Sequence, residues 1–520
     1  MENLLENKDT IRSSKKNSSI VSLLRSCCFI PQRYTFAIVA LIGLCNAFTM
    51  RTTLNIAITQ MVKQRRLGRG KHLDPDACPS DMVFNTTTFI TNPHAIFNWE
   101  EKTQGLLLSG FYYGYFCTQI LGGFLALKFG SKWVLGIGLL STAIFTFLTP
   151  IITRTGGSTW LFILRIVEGM GEGPTMPALA HMMARWIPPH ERSILSAIIF
   201  GGGQFGNIFG PIISGILLDK ARDWAYVFYF FGAFGLFWFT LWSLLCYSEP
   251  NEHPFISKKE LQYLNQILPR AKESNKRDPV PWKAIIRSPP AWAMLACNVG
   301  HDWGLYTIIS DLPKYTHDVL KFNIATAGIL SGLPFMAMTL CATIFGIICD
   351  FGIRKKWHSV KTARKIYTSI AGTGPAIFII LASYSGCNRN AAMVCFIISM
   401  GLMGAYYSGM KVNVLEVAPN YAGTLTSFIN TVSTLAGIIT PYLTGLLTPD
   451  STLIQWRTAF WVCFAMLVGS NIIYCIWMKG EQVWWDDVRK HGYPPGWKHG
   501  SLIRDEETKS SQDVELIEKI

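Results

Sequence analysis

Apolar runs of about 20 residues, separated by short polar turns, recur along the 520-residue chain. Each is long enough to cross about 30 Å of hydrocarbon as a helix. The pattern predicts twelve spans. The first six cover approximately 35–62, 104–127, 133–152, 158–186, 193–218 and 224–247. Six more cover approximately 291–313, 324–349, 366–385, 391–417, 424–447 and 457–478. The reading is an all-α membrane protein: tail 1–34, a six-helix half 35–247 with a long loop 63–103, a polar linker 248–290, a second half 291–478 and a tail 479–520. Residues 1–33 lack the apolar core and cleavage site of a signal peptide, so the first span is expected to insert as its own anchor.

The halves echo each other. Gly123 to Lys132 (GFLALKFGSK) follows the second span, and Gly346 to Lys355 (GIICDFGIRK) follows the eighth, 223 residues on. Gly210 to Gly215 (GPIISG) returns as Thr440 to Gly445 (TPYLTG), with Pro211 and Pro441 230 residues apart, as are Pro189 and Pro419. A duplicated six-helix unit of this kind binds its substrate between the halves, near the midplane.

Composition agrees with a membrane chain: 50% hydrophobic and only 15% charged residues, where a soluble chain carries about a quarter charged. The net charge of +14 does not point to nucleic acid, because the basic residues gather at the ends of apolar runs. Lys128 and Lys132, Arg185 and Arg192, the linker, and Arg354 to Lys356 with Arg364 and Lys365 fall on one side if both tails are cytoplasmic. Lys63 to Lys71 (KQRRLGRGK), just past the first span, opposes that orientation and is outvoted. The Asn85-Thr86-Thr87 sequon then lies outside the cytosol, and Asn85 is the expected glycosylation site; Asn17 is not. Most of the 13 cysteines sit in apolar runs as packing residues, and no metal spacing is present. Cys78 and Cys387 share the non-cytoplasmic side and are a possible disulfide pair.

The chemistry concentrates in Trp160 to Pro174, WLFILRIVEGMGEGP. Arg165, Glu168 and Glu172, at i, i+3 and i+7, fall within roughly 60° on one helix face. Charges at bilayer depth are costly and mark substrate or ion routes. One arginine cannot neutralise two buried carboxylates, so proton or cation coupling is expected there; a purely structural salt-bridge cluster is the plainer reading. Arg51, about sixteen residues into the first span, is either an anion-binding guanidinium or a snorkelling residue. His301 and Asp302 form a cavity-lining pair or a titrating switch. Tyr112, Tyr113, Tyr115 and Tyr306 are mainly packing, with one or two free to bond substrate. Gly201 to Gly206 fits a dinucleotide fingerprint by spelling alone, because no strand precedes it. Neither an ATP-binding loop nor a nucleophile–base pair is visible, so an enzyme is the least expected class.

The loop motif after the second span resembles the signature GxLADRxGRK of the major facilitator superfamily, with Leu127 in place of its usual acid; the second copy keeps its acid as Asp350. The motif residues Gly123, Lys128, Gly130 and Asp350 are expected to serve the conformational cycle. Arg51 to Ile58 (RTTLNIAI), Gly110 to Gly123 and Arg165 to Ala178 (RIVEGMGEGPTMPA), with Trp186 to Ser193 and Ala418 to Gly423, resemble the anion:cation symporter branch. That branch holds sialin, the vesicular glutamate transporters and the sodium–phosphate cotransporters. The resemblance implies substrate binding by Arg51 and Arg165, with Tyr112, Tyr115, Tyr306 and Asn413, and ion coupling by Glu168, Glu172, His301 and Asp302. An acid at Glu168 is sialin-like. Leu108 and His301 stand where the glutamate transporters carry histidine and arginine. Lys411 is a basic residue the branch does not lead one to expect.

The expected function is proton-coupled symport of small organic anions of the sialic acid or acidic sugar type. Sodium-dependent phosphate cotransport is the alternative within the class, and a transport-dead receptor or scaffold the alternative outside it. No cofactor is expected beyond a coupling ion, H+ or Na+. The expected partners are a small anionic substrate and the bilayer, with no nucleic acid and a monomeric working unit. Neither Leu4-Leu5 nor Leu516-Ile517 has dileucine sorting spacing, which favours the plasma membrane over a lysosomal or vesicular one.

Overall fold

The computed structural model describes residues 31–62, 96–188, 191–221, 223–267 and 280–486. Asn85 and Cys78 lie outside them. The helices are α1 (Gln32–Met61), α2 (Glu101–Phe129), α3 (Ser131–Glu172), α4 (Thr175–Trp186), α5 (Arg192–Ala221) and α6 (Ala225–Leu245). There follow α7 (Lys258–Ile267), α8 (Trp282–Ile286), α9 (Pro289–Lys314), α10 (Ile324–Arg354), α11 (Val360–Tyr384), α12 (Arg389–Met403), α13 (Met410–Val417), α14 (Ala422–Leu447) and α15 (Leu453–Trp477). Among the described residues, eight helical segments are by length and hydropathy alone sufficient to cross a membrane, and one of these, Ser131–Trp186, contains two spans. Among the described residues the twelve expected spans are all helical.

Three breaks shape the bundle. Gly157, at φ 66° and ψ −151°, turns the chain back between the third and fourth spans. A side chain is disfavoured in that left-handed conformation. Gly173 and Pro174 interrupt the fourth span, between α3 and α4. The tenth span is interrupted by the 3-10 turn Gly404–Tyr407 and by Gly409, between α12 and α13. Elsewhere the starts are fixed by caps: Asn323, Ser359 and Asn388 accept from backbone amides, and Thr452 with Gln455 makes a reciprocal capping box.

Within the first half, α2 and the fourth span approach backbone to backbone. A Cβ on Gly169 would collide with the Phe111 carbonyl oxygen, and one on Gly114 with that of Ile166. This contact sets the distance from the α2 tyrosines to the α3 charges. Gly169→Ala is expected to cost about 1–3 kcal/mol by overpacking. Thermal unfolding of the purified variant followed by gel filtration checks this; a wild-type midpoint would mean that the helices separate freely.

The linker docks on the first half. Glu260 of α7 accepts from the Gln32 and Arg33 amides, at 2.8 and 3.2 Å. His253 sits edge-on to Trp186 and Tyr247, and burial holds its imidazole below the usual range. At the same end, Asp486 accepts from the Asn420 and Tyr421 amides. We call this the linker end and the opposite one the far end.

The halves meet from mid-bundle to the far end. Gly215 of α5 packs on Gly328 of α10, and Gly105 and Gly445 pack across α2 and α14. Asn55 Nδ2 donates to the Ile309 carbonyl at 2.9 Å. Lys314 of α9 forms an ion pair with Glu101 of α2 and donates to Gln104 at 3.0 Å. The far end is closed.

Candidate functional site

Four buried charges from two spans meet at the centre of the first half. Arg165 Nη1 donates to Glu168 Oε2 at 2.7 Å, one helical turn apart. Its Nη2 donates to the Arg51 backbone carbonyl at 2.8 Å, which ties the fourth span to α1. Arg51 in turn forms a salt bridge with Glu172. All four are under 8% exposed. The expected stripe exists, but the second arginine comes from α1: the cluster is two cations against two anions.

The two glutamates are held differently. Glu168 Oε1 accepts from Thr146 and Thr149 of α3 at 3.4 and 3.3 Å, so both its oxygens have donors. Glu172 has Arg51 on Oε1, while Oε2 has no hydrogen-bond partner. The Nε atoms of Arg51 and Arg165 are likewise unpartnered. Buried polar atoms normally find partners, so the protein leaves these three atoms free to accept or donate further bonds. The Arg51 guanidinium lies over the rings of Phe48, Phe111 and Tyr115 at 4.5–4.9 Å, which fixes its plane. Snorkelling is thereby excluded in this conformation, because the head is pinned between aromatic faces.

Across the interface, α9 and the tenth span present a polar wall. His301 Nδ1 lies 3.2 Å from Asp302 Oδ1, and its ring stacks on Tyr406 with centroids 3.8 Å apart. Asn298 donates to Asp302 at 3.1 Å and to Ser433, and accepts from the Tyr406 hydroxyl. Lys411 donates to Asn430 at 3.1 Å and lies over the Tyr406 ring. Tyr112 and Tyr306 join the halves edge to face at 4.8 Å, and Gly437 leaves room for the Tyr112 ring.

The structure brings together Arg51, Arg165, Glu168, Glu172, Tyr112 and Tyr115, with Tyr306, His301 and Asp302 facing them. Asn413 of α13 is fully buried in the second half, about 200° around the helix from Lys411, and neither its Oδ1 nor its Nδ2 has a hydrogen-bond partner. Of the loop motif, Gly130 (φ 83°) makes the turn between α2 and α3, Lys128 lies over Phe124 and Phe129, and Gly123 meets open space. Asp350 is exposed at the linker end of α10. Cys387 is disulfide-bonded. The sequence reading missed Phe48, Asn298, Tyr406, Thr146 and Thr149. Asn298 had a signal, one turn before Asp302; the threonines had their three-residue spacing.

The family model described as Major Facilitator Superfamily matches residues 39–441. Sialin of Homo sapiens is 37% identical over 90% of this chain and 93% of its own length. A Drosophila ananassae protein named "Putative inorganic phosphate cotransporter" is 36% identical over 88% and 95%. Vesicular glutamate transporter 1 of Bos taurus is 31% identical over 88% and 79%. Among solved structures, an inward-facing bacterial homolog of the lysosomal transporter Spinster superposes with a TM-score of 0.65 at 14% identity, over 90% of this chain and 99% of its own. A D-xylose–proton symporter gives 0.61 at 14%, over 86% and 98%.

Proposed function

The chain belongs to the major facilitator superfamily, in the group that contains sialin and the vesicular glutamate transporters, and from that premise we propose that it carries small organic anions together with protons. One observation carries the reading: the buried Arg51–Glu172 pair, with unpartnered atoms on both members. A substrate carboxylate and the Glu172 carboxylate compete for one guanidinium fork. A proton arriving on Glu172 removes its charge and loosens its hold on Arg51, and the anion takes the vacated donors. Proton and anion enter together, and both leave when the other end opens. Arg165–Glu168 stays closed as the scaffold that positions Arg51 through its backbone carbonyl. His301, Asp302 and Lys411 line the opposite wall and set which polar groups the substrate carries.

The basic loops assign the linker end to the cytosol. The far end, closed by Lys314–Glu101, then faces outside, and Asn85 carries glycan there. The lack of dileucine spacing favours the plasma membrane, and a monomer suffices, since both walls of the site come from one chain.

Sodium-driven phosphate uptake is the second reading, favoured by the name of the Drosophila relative and by the equal fit of guanidinium to phosphate. Proteoliposomes decide between them, with labelled sialic acid, glucuronate and phosphate under imposed pH or sodium gradients. One pH unit is worth about 1.4 kcal/mol, so one-to-one symport sustains up to about tenfold accumulation. Acid-driven uptake of a sugar acid without sodium is expected. Sodium-driven phosphate uptake indifferent to pH would overturn the proton reading, and no flux of any anion would favour a receptor.

A further inference from the structure

A further carboxylate, inside the second half, belongs to neither wall of the site. Asp311 of α9 is 3% exposed, and its Oδ2 has no hydrogen-bond partner. Thr444 of α14 lies beside its carboxyl. One turn before Thr444, on the same face, the hydroxyl of buried Thr440 has no partner either. Buried Cys463 of α15 lies near Asp311 and Thr307.

No cation among the described residues reaches this carboxyl. Lys314, one turn along α9, is turned toward Glu101 and Gln104. Arg457 of α15 donates to the Ser383 carbonyl at 3.2 Å and lies over Tyr384. His317 is held by Asp318 at 2.8 Å. At the site itself, Arg51 and Arg165 are engaged with Glu172 and Glu168. A bare carboxylate in an apolar interior, lacking a counter-charge, is too costly to persist; it neutralises or holds a cation. A sodium ion needs five or six oxygens, whereas a proton needs one. The surroundings offer a hydroxyl or two and a thiol.

We propose that Asp311 is a proton-binding site loaded from the far side, and that its protonation is what permits the far end to close. Asp311 is one turn from Lys314, the residue that spans the closed interface. When the far end opens, water reaches the carboxyl, which gives its proton to that compartment. Closing requires the same proton back on a carboxylate oxygen. The proton never crosses the membrane, so this site sets the balance between open and closed states without entering the transport stoichiometry. The inference rests on the alternating-access reading but not on Glu172 as the coupling residue.

Infrared spectroscopy of the purified full-length protein reads the proton directly. A protonated-carboxyl C=O band is expected at neutral pH, absent from Asp311→Asn and retained in Glu168→Gln/Glu172→Gln. Thr444→Val keeps the acid and removes the hydroxyl beside it, so the band should shift rather than vanish. Hydrogen exchange reads the gate. With the intrinsic pH effect removed, protection of the far-end segments of α2 and α14 should fall several-fold from pH 6 to pH 9 in wild type. It should stay constant in Asp311→Asn, whose amide mimics the neutral acid. An Asp311→Asn spectrum identical to wild type overturns the proposal, as does a band that sodium chloride abolishes while potassium chloride does not. Counterflow of sialic acid by the same wild-type preparation tests the transport reading separately: its failure leaves the infrared result on Asp311 standing.

Discussion

Arg51→Lys is expected to lower anion uptake about ten- to hundredfold at normal surface expression. The substitution keeps the charge. It loses the planar fork that meets a carboxylate with two donors, and charged hydrogen bonds of this kind are worth about 1.5–3 kcal/mol. It also loses the guanidinium plane held among Phe48, Phe111 and Tyr115, onto which an ammonium packs less well. Lysine leaves Glu172 a cationic partner, so folding is preserved where Arg51→Ala would strand a buried carboxylate at about 3–5 kcal/mol. Uptake kinetics with surface biotinylation check this. Wild-type apparent affinity in Arg51→Lys would make Arg51 a structural residue.

Much of this was legible in the chain. Apolar runs of membrane length separated the third span, 133–152, from the fourth, 158–186, and the structure puts the break at Gly157 between them. The spacing of Arg165, Glu168 and Glu172 put them on one face, as found. What spacing could not give was the pairing. Whether Arg165 or Arg51 neutralises a given glutamate depends on how α1 packs against the fourth span, and Gly114 and Gly169 help to set the neighbouring helix distance only in three dimensions. The same limit hid the difference between Glu168, whose second oxygen is satisfied by threonines of α3, and Glu172, whose second oxygen is free. The Lys314–Glu101 latch joins residues 213 positions apart. Neither partner stands out in sequence, because each sits at a helix end where charge is ordinary.

That difference between the glutamates yields the second large effect. Glu172→Gln fixes a neutral side chain where the account needs one that gains and loses a proton. It should fold, since an amide oxygen still accepts from Arg51, and it should bind anion with Arg51 partly released. Glu168→Gln instead weakens a fully satisfied pair, so its main expected effect is on stability, by about 1–3 kcal/mol. Gradient-driven accumulation in Glu172→Gln should fall to the level without a gradient, while exchange of substrate for substrate continues, because exchange does not require the carrier to return with its proton released.

The most direct measurement is therefore paired on one preparation of Glu172→Gln in proteoliposomes: counterflow exchange, and net uptake driven by a one-unit pH gradient. The account predicts counterflow within about threefold of wild type and no gradient-driven accumulation, against up to about tenfold in wild type. Glu172→Gln that still accumulates anion to the wild-type level in response to the pH gradient would contradict it, and would move the coupling proton to His301 and Asp302.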